Sequence, residues 1–188
     1  MDVDRNFPKN LILFLIFTLG FWITLNSLYT SAYESTRNVE KPIDYVAFAT
    51  GGLIVNAGKS SQLYDIPTQI EYQKHFLSLN DSYRVLAYRN PPVVAVLFSQ
   101  LNHWGIEYGF IIFSLINVSL LIVSLGVIYK TFNIKLNFFL AIVPFFTPVF
   151  NTLSHGQLSI FMLFVISLFL LFHKSQKHFL SGLILGFL

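Results

Sequence analysis

The sequence has no cysteine and few charged residues. The lack of cysteine among the 188 residues excludes disulfides, thiolate metal sites and cysteine nucleophiles. Only 11% of the residues are charged and 54% are hydrophobic, whereas soluble domains carry roughly 25% charged residues. So few charges leave too little polar surface to cover a water-soluble protein. The composition therefore predicts an integral membrane protein, and the succession of apolar segments described below predicts an all-α, polytopic one.

Several signatures of other function classes are also missing. The chain contains no P-loop, no G-x-G-x-x-G and no G-x-S-x-G motif. The net charge of +3 is small and is better explained by placement around a membrane than by nucleic acid, so we expect no nucleic-acid partner. Two acid–histidine pairs have i, i+4 spacing, Glu71 with His75 and His103 with Glu107. Zinc takes three or four ligands from a protein, so we expect no metal site and no cofactor.

Apolar segments predict the membrane spans at 11–29, 108–129, 136–153, 158–172 and 179–188. The first segment is longer than the apolar core of a cleaved signal peptide, the alternative interpretation, and we interpret it as an anchor. The last segment supplies half of the roughly 20 residues that a spanning helix needs. We therefore expect the chain to be the N-terminal portion of a larger membrane protein.

Residues 31–104 hold most of the charges and predict an extracytoplasmic module at the membrane interface. Apolar spacing after Pro42 predicts a helix over 44–56 that lies on the membrane surface, with Gly58 as its C-cap. Pro67 predicts a second short helix from Thr68 to Leu79.

The apolar segment from Pro91 to Leu101 is too short to cross a membrane. As a helix it would reach about 16 Å, against a hydrocarbon core of about 30 Å, so we predict an interfacial or re-entrant helix. If it does not cross, the lysine-containing loops 130–135 and 174–177 both face the cytoplasm, as the positive-inside rule favours. The N-terminus is then also cytoplasmic. The module, "YRNPP" and "SHGQ" share the extracytoplasmic face.

Asp44 is the candidate catalytic residue, and two interpretations remain open. A carboxylate at a helix start is stabilised by the helix dipole, which is a purely structural role. A carboxylate at the water–lipid boundary also suits a general base.

Two polar stretches offer candidate binding residues for a phosphate or a sugar. In "AYRNPP", Arg89 is suited to hold a phosphate bidentately, although it equally suits contact with lipid headgroups. Arg84 is a weaker candidate of the same kind. In "NTLSHGQLS", His155 and Gln157 follow an apolar segment, and Gly156 permits close approach or a sharp turn.

In this order, four stretches resemble glycosyltransferase family 87, the polyprenol-phosphate-mannose-dependent mannosyltransferases of the GT-C class. They are "DYVAFATGGLIVNAGKSSQLYD" after the first span, "YRNPPVVAVLFSQL", "HGQLSIFMLFVISLFLL" and "FLSGLILGFL". The resemblance implies a GT-C-like fold with extracytoplasmic surface helices after the first span. It also implies that Asp44 is the base, that Arg89 contacts the lipid phosphate, and that Tyr64 and Tyr88 belong to the donor site.

The resemblance implies that a hexose, mannose-like, passes with inversion from a polyprenyl-phosphate donor to a lipid or glycan acceptor. The expected partners are that donor, that acceptor and membrane lipids. Other function classes compete, namely a transporter and a non-catalytic polymer-export or assembly subunit. Transporters place polar groups at broken helices near the bilayer midplane, whereas here the polar groups are predicted to gather at one face.

Overall fold

The computed structural model describes residues 19–21, 23, 27, 30, 44–77, 85–132 and 147–186. In these ranges the chain is helical and has no strand, which confirms the all-α prediction. Besides isolated helical residues between 19 and 30, they contain seven α-helices: α1 (Asp44–Asn56), α2 (Ile66–Leu77), α3 (Pro92–Leu101), α4 (Gly105–Phe132), α5 (Thr147–His155), α6 (Ser159–Lys174) and α7 (His178–Leu185).

The chain divides into two compact units. The first unit contains the described residues from 27 to 115 together with 154–157. The second contains the described residues up to 26, then 116–132, 147–153 and 158–186. The candidate site residues that the structure describes therefore all belong to the first unit.

Helix α1 is the core helix of the first unit. Eight of its residues are buried, including six of the seven between Tyr45 and Gly51, so it is covered on nearly all sides. Its sequence is apolar all round, which is typical of a buried helix. The predicted bounds of α1 are confirmed, and its position at a membrane surface remains a prediction.

The end of α1 is fixed by Gly58, as the sequence predicts. Gly58 has φ of 70°, its N–H donates to the Val55 carbonyl, and the Lys59 N–H donates to the Ile54 carbonyl. This pair of bonds is the Schellman motif, which satisfies carbonyls left over at a helix end.

Two asparagine side chains and one glycine join α1 to α3. Asn56 donates from Nδ2 to the Ser99 carbonyl at 2.9 Å, and Asn102 donates from Nδ2 to the Ala49 carbonyl at 2.8 Å. At Gly52 an added Cβ would lie 2.6 Å from the backbone carbon of Phe98. The two helices therefore pack backbone against backbone.

Helices α3 and α4 are separate, as predicted, because the α-helical conformation is interrupted between them. A short 3₁₀ turn covers Asn102–Trp104 and ends at Gly105, whose φ is 77°. Within the described ranges, Pro92–Phe132 is the one stretch long and apolar enough to cross a membrane, and Ser159–Lys174 is a shorter apolar helix. The interfacial position of α3 and the spanning position of α4 remain predictions.

In the second unit, the C-terminal ends of α4 and α6 meet. Lys174 donates from Nζ to the Thr131 carbonyl, and its ammonium lies 5.5 Å from the centre of the Phe132 ring. The first part of the predicted span 136–153 lies outside the described residues. Helix α5 ends at His155 rather than at Leu153, so Asn151 and Ser154 are helical and not part of a loop.

Candidate functional site

Asp44 and Gln157 contact each other directly in the first unit. Gln157 donates a hydrogen bond from Nε2 to Oδ2 of Asp44 at 2.7 Å, across 113 residues of sequence. Asp44 is the first residue of α1, and both side chains are half-buried. The structure therefore brings together the predicted catalytic carboxylate and a predicted binding residue.

The turn after α5 carries Gln157 to this position. Helix α5 ends at His155, and Gly156 adopts φ of 69°, a conformation that L side chains rarely take. There is also no room for a side chain, because a Cβ on Gly156 would lie 2.7 Å from Cβ of Tyr45. Gly156 thus provides both the sharp turn and the close approach expected from the sequence.

An aromatic cluster supports the first turn of α1. The Tyr45 ring lies 5.5 Å from the ring of Phe98, 5.2 Å from Phe110 and 5.8 Å from Phe113, measured between centroids. Burial raises the pKa of Tyr45, so its hydroxyl stays protonated at neutral pH. Among the described residues this hydroxyl oxygen has no hydrogen-bond partner. The cluster fixes the backbone next to Asp44.

His155 lies beside this contact on the last turn of α5. Its side chain is exposed, and its Nδ1 is 3.1 Å from Oγ of the buried Ser154. His155 therefore lies at the surface, two residues before Gln157 in the chain.

Tyr88 is part of the core rather than of an open binding surface. Its side chain is 1% exposed, and its hydroxyl donates to the Pro91 carbonyl at 2.7 Å. Burial raises the pKa of Tyr88 to about 12, so the hydroxyl remains a donor at neutral pH. In this structure Tyr88 stabilises its own segment, and its direct contact with a donor remains a prediction.

Arg89 and Tyr64 remain at the surface. Arg89 is exposed, and within the described ranges no ion pair engages its guanidinium. Tyr64 is 52% exposed and donates from its hydroxyl to the Asn90 carbonyl at 2.8 Å. Its ring lies 6.1 Å from the ring of Tyr88. Arg84 lies outside the described residues.

The structure describes the two acid–histidine pairs in part. Glu71 forms a surface ion pair with Lys59 at 3.8 Å. The side chain of His75 is not among those that the structure describes. Gly105 breaks the helix between His103 and Glu107. Among described residues, no group of three or more metal-ligating side chains occurs.

Two supporting residues, Gln69 and Gln73, do not stand out as site residues in the sequence. Both are fully buried on α2 and bond to the backbone of the segment that precedes Arg89. Their i, i+4 spacing is the one signal that could have identified them, because it places two amides on one helix face.

A family model of glycosyltransferase family 87 matches residues 88–188, which is more than half of the chain. No curated protein and no solved structure matches the chain. The matched range includes Arg89, His155 and Gln157, whereas Asp44 precedes it. Members of this family are membrane proteins. The resemblance seen in the sequence is thus confirmed, and the chain belongs to glycosyltransferase family 87.

Proposed function

We propose that the protein transfers a hexose, mannose-like, from a polyprenyl-phosphate donor to a lipid or glycan acceptor, with inversion. Family membership supports glycosyl transfer in general. The observation that carries the proposed mechanism is the hydrogen bond from Gln157 to Asp44. It joins a carboxylate to a polar turn 113 residues away, and a helix-start charge with only a local role requires no such partner.

Asp44 acts as the general base in this proposal. Its carboxylate takes the proton of an acceptor hydroxyl, and the hydroxyl oxygen attacks the anomeric carbon of the donor sugar. The bond from that carbon to the phosphate oxygen breaks, and polyprenyl phosphate leaves with the bonding electrons. Attack from the face opposite the phosphate inverts the anomeric carbon. A positioned base of this kind contributes typically about 10²- to 10⁴-fold to the rate.

Gln157 orients the base. Because its Nε2 bonds to Oδ2 of Asp44, the carboxylate is held in one rotation, and the other oxygen, Oδ1, is proposed to take the proton. Fixing a catalytic group in its reactive geometry lowers the barrier by removing orientational freedom. The same amide has a second N–H and a carbonyl oxygen, which suit contact with a sugar hydroxyl. His155, two residues earlier, is proposed to contact the sugar or the phosphate.

Arg89 is proposed to bind the donor phosphate. Its planar guanidinium matches two phosphate oxygens, and its exposure leaves it accessible to a lipid-linked ligand. Tyr64, whose ring is half-exposed beside the same segment, is proposed to contact the donor sugar. Arg84 is a second proposed phosphate ligand. No metal or cofactor is required, because the leaving phosphate can be stabilised by arginine alone.

We also propose a multi-pass arrangement with a cytoplasmic N-terminus and an extracytoplasmic site. The contact between Lys174 and Thr131 supports this arrangement. It brings together the C-terminal ends of α4 and α6, each of which contains a lysine, in the second unit. Loops that lie side by side can both face the cytoplasm, as the positive-inside rule favours.

The experiment is sugar transfer by the intact protein in liposomes that contain polyprenyl phosphates linked to mannose or to glucose. The proposal predicts transfer from the mannose-linked donor with inverted stereochemistry, and a loss of about 10²- to 10⁴-fold in rate for Asp44→Asn. Movement of donor across the bilayer without transfer, unaffected by Asp44→Asn, would instead support a transporter.

A further inference from the structure

Helix α2 holds an extended segment of the chain through two buried glutamines. Gln69 accepts a hydrogen bond at Oε1 from the Tyr88 N–H at 2.8 Å and donates from Nε2 to the Tyr88 carbonyl at 3.3 Å. Gln73 accepts from the Leu86 N–H at 3.2 Å and donates to the Leu86 carbonyl at 2.7 Å. Each side-chain amide therefore pairs both backbone groups of one residue.

This pattern resembles the pairing between two β-strands, with side chains in place of one strand. Leu86 and Tyr88 are two residues apart, so their backbone groups lie on the same edge of the extended chain. Gln69 and Gln73 are four residues apart, so they lie on the same face of α2. Both glutamines are fully buried. We call these four paired residues the glutamine clamp.

The chain beyond the glutamine clamp is also fixed. The Tyr88 hydroxyl donates to the Pro91 carbonyl, and the Tyr64 hydroxyl donates to the Asn90 carbonyl. Arg89 therefore has a backbone-bonded neighbour on each side, while its own side chain is exposed. An exposed arginine on a fixed backbone loses less freedom when it binds a ligand than one on a mobile loop.

We propose that Gln69 and Gln73 are positioning residues that fix the backbone of Arg89 for recognition of the donor phosphate. This inference rests on the proposed function of Arg89. The glutamines do not touch the donor. They act through the backbone of residues 86–88 and so determine the position of the Arg89 backbone, from which the side chain extends.

The first experiment reports on the glutamine clamp without any assay of activity. The chain has no cysteine, so a nitroxide attached to Arg89→Cys in the intact protein gives a single label. We expect a label with restricted backbone motion, and a more mobile spectrum after Gln69→Leu or Gln73→Leu. Gln100→Leu is the matched control, because the Gln100 side chain is exposed and lies outside the clamp and α2. Gln73→Asn retains the amide but shortens its reach, and it tests the inference if the leucine variants do not fold. Equal mobility in all variants would overturn the inference.

The second experiment is a double-mutant cycle on the Michaelis constant for the donor. Gln69→Leu should raise this constant by about 3- to 10-fold with little change in kcat, and should add nothing in an Arg89→Ala background. An equal rise in both backgrounds would overturn the positioning role. If Arg89→Ala itself leaves donor binding unchanged, the phosphate role of Arg89 is wrong, and the proposed purpose of the clamp falls with it. The spin label still reports independently whether the clamp holds the segment.

Discussion

Gly156 approaches Tyr45 so closely that a Cβ on the glycine would lie 2.7 Å from Cβ of the tyrosine. This approach allows the turn after α5 to pack against the first turn of α1. Gln157 follows Gly156 and Asp44 precedes Tyr45. The side chains of these two residues form a hydrogen bond. The geometry of the candidate site therefore depends on a position that accepts only glycine.

Replacement of Gly156 by alanine should destabilise the protein more than replacement of Gly58. Both glycines have positive φ, but an added Cβ at Gly58 would meet nothing within 4 Å. Gly58→Ala should cost about 1–2 kcal/mol from its backbone conformation alone. Gly156→Ala adds overpacking of about 1–3 kcal/mol. Thermal unfolding in detergent compares the two variants, and equal losses of stability would contradict the close approach.

Gln157→Leu should lower turnover while the protein remains folded. A hydrogen bond to a charged group is worth about 1.5–3 kcal/mol, which corresponds to about 10- to 100-fold in rate if it acts fully in the transition state. Gln100→Leu is the control, because the Gln100 side chain is exposed and its one hydrogen bond within the described ranges is to the Ser99 hydroxyl. Steady-state kinetics would show kcat falling for Gln157→Leu alone. An unchanged kcat would show that the bond to Asp44 has no catalytic role.

Asp65 should stabilise the protein at neutral pH and lose this effect in acid. It caps α2 by accepting hydrogen bonds from the Thr68 hydroxyl at 2.6 Å and the Thr68 N–H at 3.0 Å. The bond from the Thr68 hydroxyl, followed by that from its N–H, lowers the pKa of Asp65 below its ordinary value of 3.8. The stabilisation is therefore present above pH 3.8 and is lost as the pH falls through the folded-state value. The difference in Tm between the wild type and Asp65→Ala should shrink in acid, and a constant difference would contradict this role.

The local signals in the sequence were sufficient to predict most helix bounds in the first unit. Gly58 ends α1 through its backbone conformation, and Pro91 precedes α3. These signals are local, so they survive in any tertiary context. The burial of α1 was not predicted, because apolar residues on all sides of a helix suit lipid, interface and protein core equally.

The candidate site was predictable as a set of residue types but not as a geometry. Asp44 and Gln157 were identified separately, and nothing local states that they form a hydrogen bond across 113 residues. The burial of Tyr88 was not predictable either, because the resemblance implied a place in the donor site but no contact to the Pro91 carbonyl. The glutamine clamp was not predicted, because side-chain amides on a short polar helix are usually solvated.

The proposed topology predicts different accessibility at two serine positions. Ser61→Cys on the exposed 3₁₀ turn should react with an impermeant thiol reagent in intact cells. Ser175→Cys, next to Lys174, should react only after the membrane is opened. The absence of native cysteine makes each variant singly labelled. Labelling of Ser175→Cys from outside would contradict the cytoplasmic position of this loop.

The most direct test of the account compares two aspartates that begin helices in the same unit. Asp44 begins α1, and Asp65 precedes α2 as its cap. Asparagine caps a helix about as well as aspartate, so Asp65→Asn should leave turnover nearly unchanged. If Asp44 is the general base, Asp44→Asn should reduce the single-turnover rate of sugar transfer from pre-bound donor by about 10²- to 10⁴-fold and leave donor binding intact. Near wild-type rates in both variants would show that Asp44 has only the structural role of a charge at a helix start. This result would contradict the proposed mechanism.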